Sequence, residues 1–204
     1  MRTSEIELWE LAAPAFLHAL PALLEIYTAA MEPPAEQIPG RCSIMREHAR
    51  QPRFGSVVAL PRGGGDAAGF AYGFHGAGGQ WWHDVITAEL DRRGPGAGRH
   101  WFADSFEVAE LHVLPGRQGR GTGRSLLEAL TAVRKERTAV LSTPAGPTAA
   151  RGLYRSCGFV DVLPEFRFPG SPHRPFTIMA APLPLPAGGP RRPAGRSRAW
   201  LWTG

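Results

Sequence analysis

The stretch ELHVLPGRQGRGTGRSLLEAL, residues 110–130, constrains the fold more than any other part of the chain. An apolar run with strand character ends in a loop where glycine and arginine alternate, and a helical rhythm follows at once. Leu126, Leu127, Leu130 and Val133 sit at i, i+1, i+4 and i+7, a face able to pack on a sheet. A turn needs one glycine, yet Gly119, Gly121 and Gly123 stand two apart. Glycine tolerates positive φ and lets backbone N–H groups come close to a ligand. Strand, loop and helix N-terminus together offer free N–H donors at the positive end of a helix dipole, an anion site used most often for phosphate. Arg117, Arg120 and Arg124 add charge that pairs with phosphate oxygens. A glycine-rich connector is the plainer reading of the same residues.

The rest of the chain supplies elements around this junction. Residues 14–31 space apolar side chains at 16, 17, 20, 23, 24 and 27, which predicts a helix, and a weaker one fits 40–50. Residues 53–60 and 67–75 read as two strands joined by the turn PRGGGD, an antiparallel hairpin. QWWHDVITAEL predicts a short helix, 105–114 a strand, 138–143 a short buried strand, and 148–159 a helix stopped by Gly158. Strands near VLPEFRF and FTIMAAPL complete the order ααββ(α)βαβαββ, a mixed α/β domain around a single sheet.

A chain of 204 residues suits one domain with a sizeable core. The ending PLPLPAGGPRRPAGRSRAWLWTG contains no acidic residue and reads as a disordered Pro/Arg-rich tail, so residues 1–180 are expected to form the domain and 181–204 the tail. The tail holds four arginines, which leaves residues 1–180 with 19 basic and 18 acidic side chains. A nearly neutral body makes nucleic acid an unlikely partner despite the basic whole. Cys42 and Cys157 show no metal or disulfide spacing, and the apolar stretch 11–31 is broken by Pro14, His18, Pro21 and Glu25. The expectation is a cytoplasmic protein without a membrane partner and without a metal.

The loop does not fit the two common nucleotide signatures. A Walker A loop needs Gly at 118 and Lys at 124, where this chain has Gln118 and Arg124, and G-x-G-x-G is not the dinucleotide spacing. Gln118-Gly-Arg-Gly121-Thr-Gly123 instead resembles the [Q/R]-x-x-G-x-[G/A] motif of the GCN5-related N-acetyltransferase (GNAT) family, in its strand–loop–helix setting. ARGLYRSCGF, residues 150–159, is similar to the family's A-x-x-L-Y-x-x-x-G-F segment. The resemblance covers roughly residues 50–180. It implies the acyl-CoA N-acyltransferase type fold, a single mixed and mostly antiparallel sheet flanked by helices. It also implies acetyl transfer from acetyl-CoA to a primary amine by direct attack in a ternary complex.

The resemblance assigns roles by position. Leu111, His112 and Val113 would meet the pantetheine arm beside a strand bulge. The amides of Gly119, Arg120, Gly121, Thr122 and Gly123 would hold the pyrophosphate, assisted by Gln118, Arg124 and Ser125. Tyr154 aligns with a tyrosine near the CoA sulfur, where a phenol protonates a leaving thiolate; a core aromatic is the other reading, given Leu153 and Cys157 beside it. Glu107 and Glu110 are the base candidates, Glu110 matching an acid frequent in the family. Three residues apart on a regular strand, they point to opposite faces, so only one is expected to face the acceptor. His112 shares the face of Glu110 and is placed to relay a proton. One departure is Pro147, where the family often has an asparagine that contacts the cofactor.

The acceptor is left open between a small-molecule and a peptide amine, and a homodimer is allowed. Trp81 and Trp82, with Trp101 and Phe102, wall either an acceptor pocket or a satellite core under a long loop. Two other function classes remain: a non-catalytic acyl-CoA-binding module, for which Tyr154 is dispensable, and a nucleic-acid or partner-binding protein acting through the Arg-rich tail.

Overall fold

A computed structural model describes residues 5–94, 96–170 and 173–186. The expected C-terminal tail lies largely outside the described residues, but the domain runs beyond position 180. The last strand ends at Pro182, the Leu183 N–H donates to the Arg137 carbonyl at 2.8 Å, and Leu185 is buried in the core.

Seven strands form one sheet in the order β1-β2-β3-β4-β5-β7-β6. They are β1 (Ile6–Leu11), β2 (Gly55–Pro61), β3 (Gly69–Gly76), β4 (Ser105–Val113), β5 (Thr138–Pro144), β6 (Val160–Phe166) and β7 (Phe176–Pro182). Every neighbouring pair is antiparallel except β4 and β5, which run parallel. The helices are α1 (Ala13–Met31), α2 (Ile38–His48), α3 (Trp81–Arg92), α4 (Thr122–Thr131) and α5 (Ala149–Ser156). Strand β1 was not expected from the sequence; its exposed residues are Glu7 and Glu10, charges of the kind an edge strand carries. Val133, expected on the packing face of α4, lies past the end of that helix and is 57% exposed.

Period-2 alternation sends successive strand residues to opposite faces and creates separate cores. On one face Ala71, Phe106, Val108, Ala139 and Leu141 pack under α4 and α5, through Leu126, Leu127, Leu130 and Tyr154. On the other, Val58, Phe70 and Tyr72 pack against α1 and α2. A third cluster on that second face joins α3 to Val140, Leu163 and Ile178.

Two irregularities position everything that follows. The register of β3 on β4 shifts: Tyr72 faces Glu110 and Gly73 faces Val108, so Ala109 is an extra residue on β4, a β-bulge. Gly73 permits it, because a Cβ there would lie 2.1 Å from the Glu107 carbonyl oxygen and 2.6 Å from the Phe106 ring. Second, β4 pairs with β5 only from Ser105 to Glu107; beyond that point β4 stays with β3 and β5 stays with β7. The two central strands part into a V, leaving the facing backbone edges of 108–113 and 141–144 without ladder partners.

The close approach at Gly73 has a measurable consequence. Gly73→Ala should cost about 1–3 kcal/mol in urea unfolding by overpacking. Gly40→Ala, with nothing within 4 Å of its added Cβ inside α2, should be neutral or stabilising by at most about 1 kcal/mol. Equal effects at the two positions would contradict the tight bulge.

Candidate active site

The glycine loop closes the open end of the V. Gly119 and Gly121 both have positive φ, 71° and 86°, and a Cβ on either would meet nothing within 4 Å, so the loop surface there is open. Gly123 serves packing instead: a Cβ would sit 3.2 Å from Leu153 Cδ2 on α5. Gly121 is the N-cap of α4, and the first helical bond runs from the Ser125 N–H to the Gly121 carbonyl at 3.0 Å. The N–H groups of residues 119–124 therefore have no hydrogen-bond partner among the described residues, at the positive end of a ten-residue helix. An open cradle of this kind fits a pyrophosphate.

The basic residues around the loop are less free than their sequence suggests. Arg124 is turned toward α5, donating to Ser156 Oγ at 2.6 Å, and Arg120 lies 3.7 Å from Glu5. Gln118 donates its side-chain amide to the Val113 carbonyl at 3.0 Å, fixing the end of β4. The Ser125 N–H is used within the helix, leaving its hydroxyl. Leu111, His112 and Val113 lie along the parted edge of β4, as the resemblance implies.

The bulge overturns the expectation that Glu107 and Glu110 point apart. The extra residue at Ala109 inverts the strand's alternation, so Glu107 before it and Glu110 and His112 after it share the α1/α2 face. Their surroundings nevertheless differ. Both Glu110 oxygens are engaged: Oε1 accepts from Arg41 Nη1 at 2.7 Å, and Oε2 is hydrogen-bonded to His112 Nε2. Burial pushes the Glu110 pKa up, but the His112 hydrogen bond and the charges of His112, Arg41 and His48 outweigh it and hold the carboxyl below the usual range. Glu107 is 5% exposed, and its Oε2 is buried without a hydrogen-bond partner among the described residues. Burial, together with the Glu110 charge, lifts its pKa to about 8.

Further residues complete the cluster and were not singled out from the sequence. Arg41 lies over the Tyr27 ring, 5.1 Å from its centroid. Tyr27 also packs edge-on to His112 at 5.2 Å. His48 Nδ1 is 3.1 Å from the Tyr72 hydroxyl, and burial pulls the His48 pKa down. These side chains come from α1, α2 and β3, far from β4 in sequence.

Tyr154 stands on the opposite face, on α5. The helix is capped by Thr148, whose side chain accepts from the Arg151 N–H at 3.1 Å, and it ends at Gly158 with φ 92°. Arg151 and Arg155 both donate to Asp161 Oδ2, at 2.5 and 2.7 Å, tying α5 to β6 on either side of Tyr154. The Tyr154 hydroxyl has no hydrogen-bond partner among the described residues. Burial and then the Glu110 charge push its pKa up, so the phenol stays protonated. Cys157 is buried, and burial raises its thiol pKa, which makes it a poor nucleophile.

The tryptophans are not part of this cluster. Trp82 packs on Phe102 at 5.9 Å within the third core, with Trp101 beside it. Trp81 is 59% exposed and lies 5.6 Å from Phe168. No ring contact or hydrogen bond joins either to Glu107, Glu110 or Tyr154 among the described residues.

Comparison with known proteins agrees with this geometry. The sequence model of the acetyltransferase (GNAT) domain matches residues 65–161. The GCN5-like protein acetyltransferase Rv2170 of Mycobacterium tuberculosis (strain ATCC 25618 / H37Rv) is 43% identical over 122 residues, 57% of this chain and 59% of that protein. The chain thus spans under two thirds of that relative's length. The ribosomal-protein-S18-alanine N-acetyltransferase of Escherichia coli shares the fold with a TM-score of 0.57 at 20% identity, over 92% of this chain and 99% of that one. The PaiA N-acetyltransferase of Thermoplasma acidophilum, solved in complex with coenzyme A, gives 0.54 at 13% identity, over 87% and 98%. Residues 65–161 match the acetyltransferase (GNAT) domain, and the loop motif, the fold and the parted central strands agree with that match.

Proposed function

We propose that this protein transfers an acetyl group from acetyl-CoA to a primary amine by direct attack within a ternary complex. The observation that carries the reading is the parting of β4 from β5 after Glu107, with free loop amides at its mouth and acid–base groups on both sides. Bound acetyl-CoA supplies an acetyl group activated as a thioester. The amides of Gly119, Arg120, Gly121, Thr122 and Gly123 bind its pyrophosphate, and the free β4 edge at Leu111 to Val113 meets the pantetheine arm. Pro147 offers no side-chain donor, so the loop and strand carry the binding.

An amine attacks only when neutral, so a proton acceptor is needed on its side of the sheet. Glu107 fills that role, because its Oε2 has no hydrogen-bond partner among the described residues and its pKa of about 8 lies near the working pH. Glu110, with both oxygens held, keeps Arg41 and His112 in place and supplies the fixed negative charge. Tyr154 Oη, neutral and facing the gap from the other side, holds the proton that a departing thiolate requires. A cytoplasmic setting, where thiols stay reduced, suits the two free cysteines. The amines acted on by named relatives, a ribosomal-protein alanine among them, keep peptide and small-molecule acceptors both in view.

The reading is tested by following free-thiol release from acetyl-CoA over a panel of amines. Tyr154→Phe should lower kcat by about 100-fold or more while leaving KM for acetyl-CoA within about twofold. A wild-type rate in that variant would favour the binding-module alternative.

Glu107 gives a second, pH-dependent test. Its folded pKa of about 8 lies above the ordinary 4.5, so between those values the native chain holds a proton that the unfolded chain has lost, and stability falls as pH rises. Glu107→Gln should remove that slope, gaining on the wild type by on the order of a few kcal/mol in urea unfolding as pH climbs from 4.5 to about 8, with the difference level above that. In the same window wild-type kcat should rise while the variant stays low and flat. A stability difference independent of pH would contradict the buried, protonated carboxyl.

A further inference from the structure

The acid cluster holds one fixed cation whose chemistry exceeds what the reaction asks of it. Arg41 projects from α2 onto the acceptor side, its side chain 33% exposed, and gives Glu110 a single nitrogen, Nη1, at 2.7 Å. The guanidinium plane lies over Tyr27 at 5.1 Å, which sets its orientation. Arginine carries five N–H donors in a rigid fork suited to two-point binding of a carboxylate. Contacts to Glu110 and Tyr27 use part of that fork and leave donors for a carboxylate.

The charges around it point the same way. Arg41 and Glu110 form an ion pair in the floor and offset each other's charge. His112 touches the same carboxylate from β4, and His48 approaches from α2 beside Tyr72. A plain cationic amine entering here finds no net negative charge and an arginine in its way. An amine that brings its own carboxylate leaves the site balanced, with its nitrogen toward the glutamates and its carboxylate on Arg41.

From this geometry we infer that Arg41 determines acceptor specificity by binding a carboxylate on the acceptor, so that the acetylated amine carries an acidic group within a few bonds of its nitrogen. The inference rests on the amine-acceptor reading above. A free amino acid and a peptide amine flanked by an acidic side chain present the same chemistry. A structural role for Arg41, confined to holding Glu110, would slow all acceptors alike, whereas recognition changes their ratio.

The test compares matched pairs. β-Alanine is set against its amide, and a tripeptide amide with aspartate beside lysine against the same peptide with asparagine. Both binding, by ligand-shift NMR titration, and turnover are measured. The wild type should favour the acid member of at least one pair by roughly tenfold or more, as expected for a charge-assisted contact. Which pair responds separates the free amino acid from the peptide. In Arg41→Gln the ratio should fall to about one, and in Arg41→Lys, which keeps the charge without the fork, it should be only partly restored. Binding of acid and amide members alike by the wild type, or an unchanged ratio in Arg41→Gln, would overturn the inference. Arg41-dependent preference in binding with no turnover of any amine would sustain it and count against the transferase reading instead.

Discussion

The structure depends on one departure from regular pairing: β4 leaves β5 after Glu107, and does so where Ala109 is inserted opposite β3. A continuous sheet would satisfy both strand edges and bury the centre of the fold as inert core. The bulge bends β4 and raises its local twist, and Gly73 makes room for it by lacking a Cβ. The gap then exposes a row of backbone groups and leaves the glycine loop at its mouth. Every site residue with a proposed role stands beside this opening or reaches into it.

The bulge also sorts the two acids. It turns both to the same face, yet places one against Arg41 and His112 and leaves the other with a buried oxygen unpartnered among the described residues. Like charges near one another do not both ionise easily in a buried setting, and the surroundings decide which gives way. Glu110 stays charged because its neighbours are basic; Glu107 keeps its proton because burial and Glu110 disfavour its anion. One carboxyl thus fixes charge while the other exchanges a proton near neutral pH.

Much of this was legible in the sequence where a local rule applied. The helix periodicity after the glycine loop, the stop at Gly158 and the strand before the loop depend on neighbours a few residues apart, and the structure matches them. The bulge was not legible, since its signature lies in how residues 108–110 pair with 72 and 73 rather than in either segment. With it missed, the parity of Glu107 and Glu110 was misjudged. Arg41, His48 and Tyr72 were missed for the same reason: side chains from α2 and β3 meet those of β4 only once the sheet is assembled. Gln118 and Arg124 were expected to face a ligand, but both have closer protein partners, Val113 and Ser156. The sequence showed their charge and polarity, not their reach.

The central claim is that the free amides of the glycine loop hold acetyl-CoA at the parted strands. The most direct measurement is calorimetric titration of the purified protein with acetyl-CoA, run beside Gly121→Glu, which sets an anion in the open cradle, with circular dichroism confirming that both are folded. The account predicts saturable one-to-one binding by the wild type and its loss in the variant. Equal binding by the two, or no binding by the folded wild type, would contradict it.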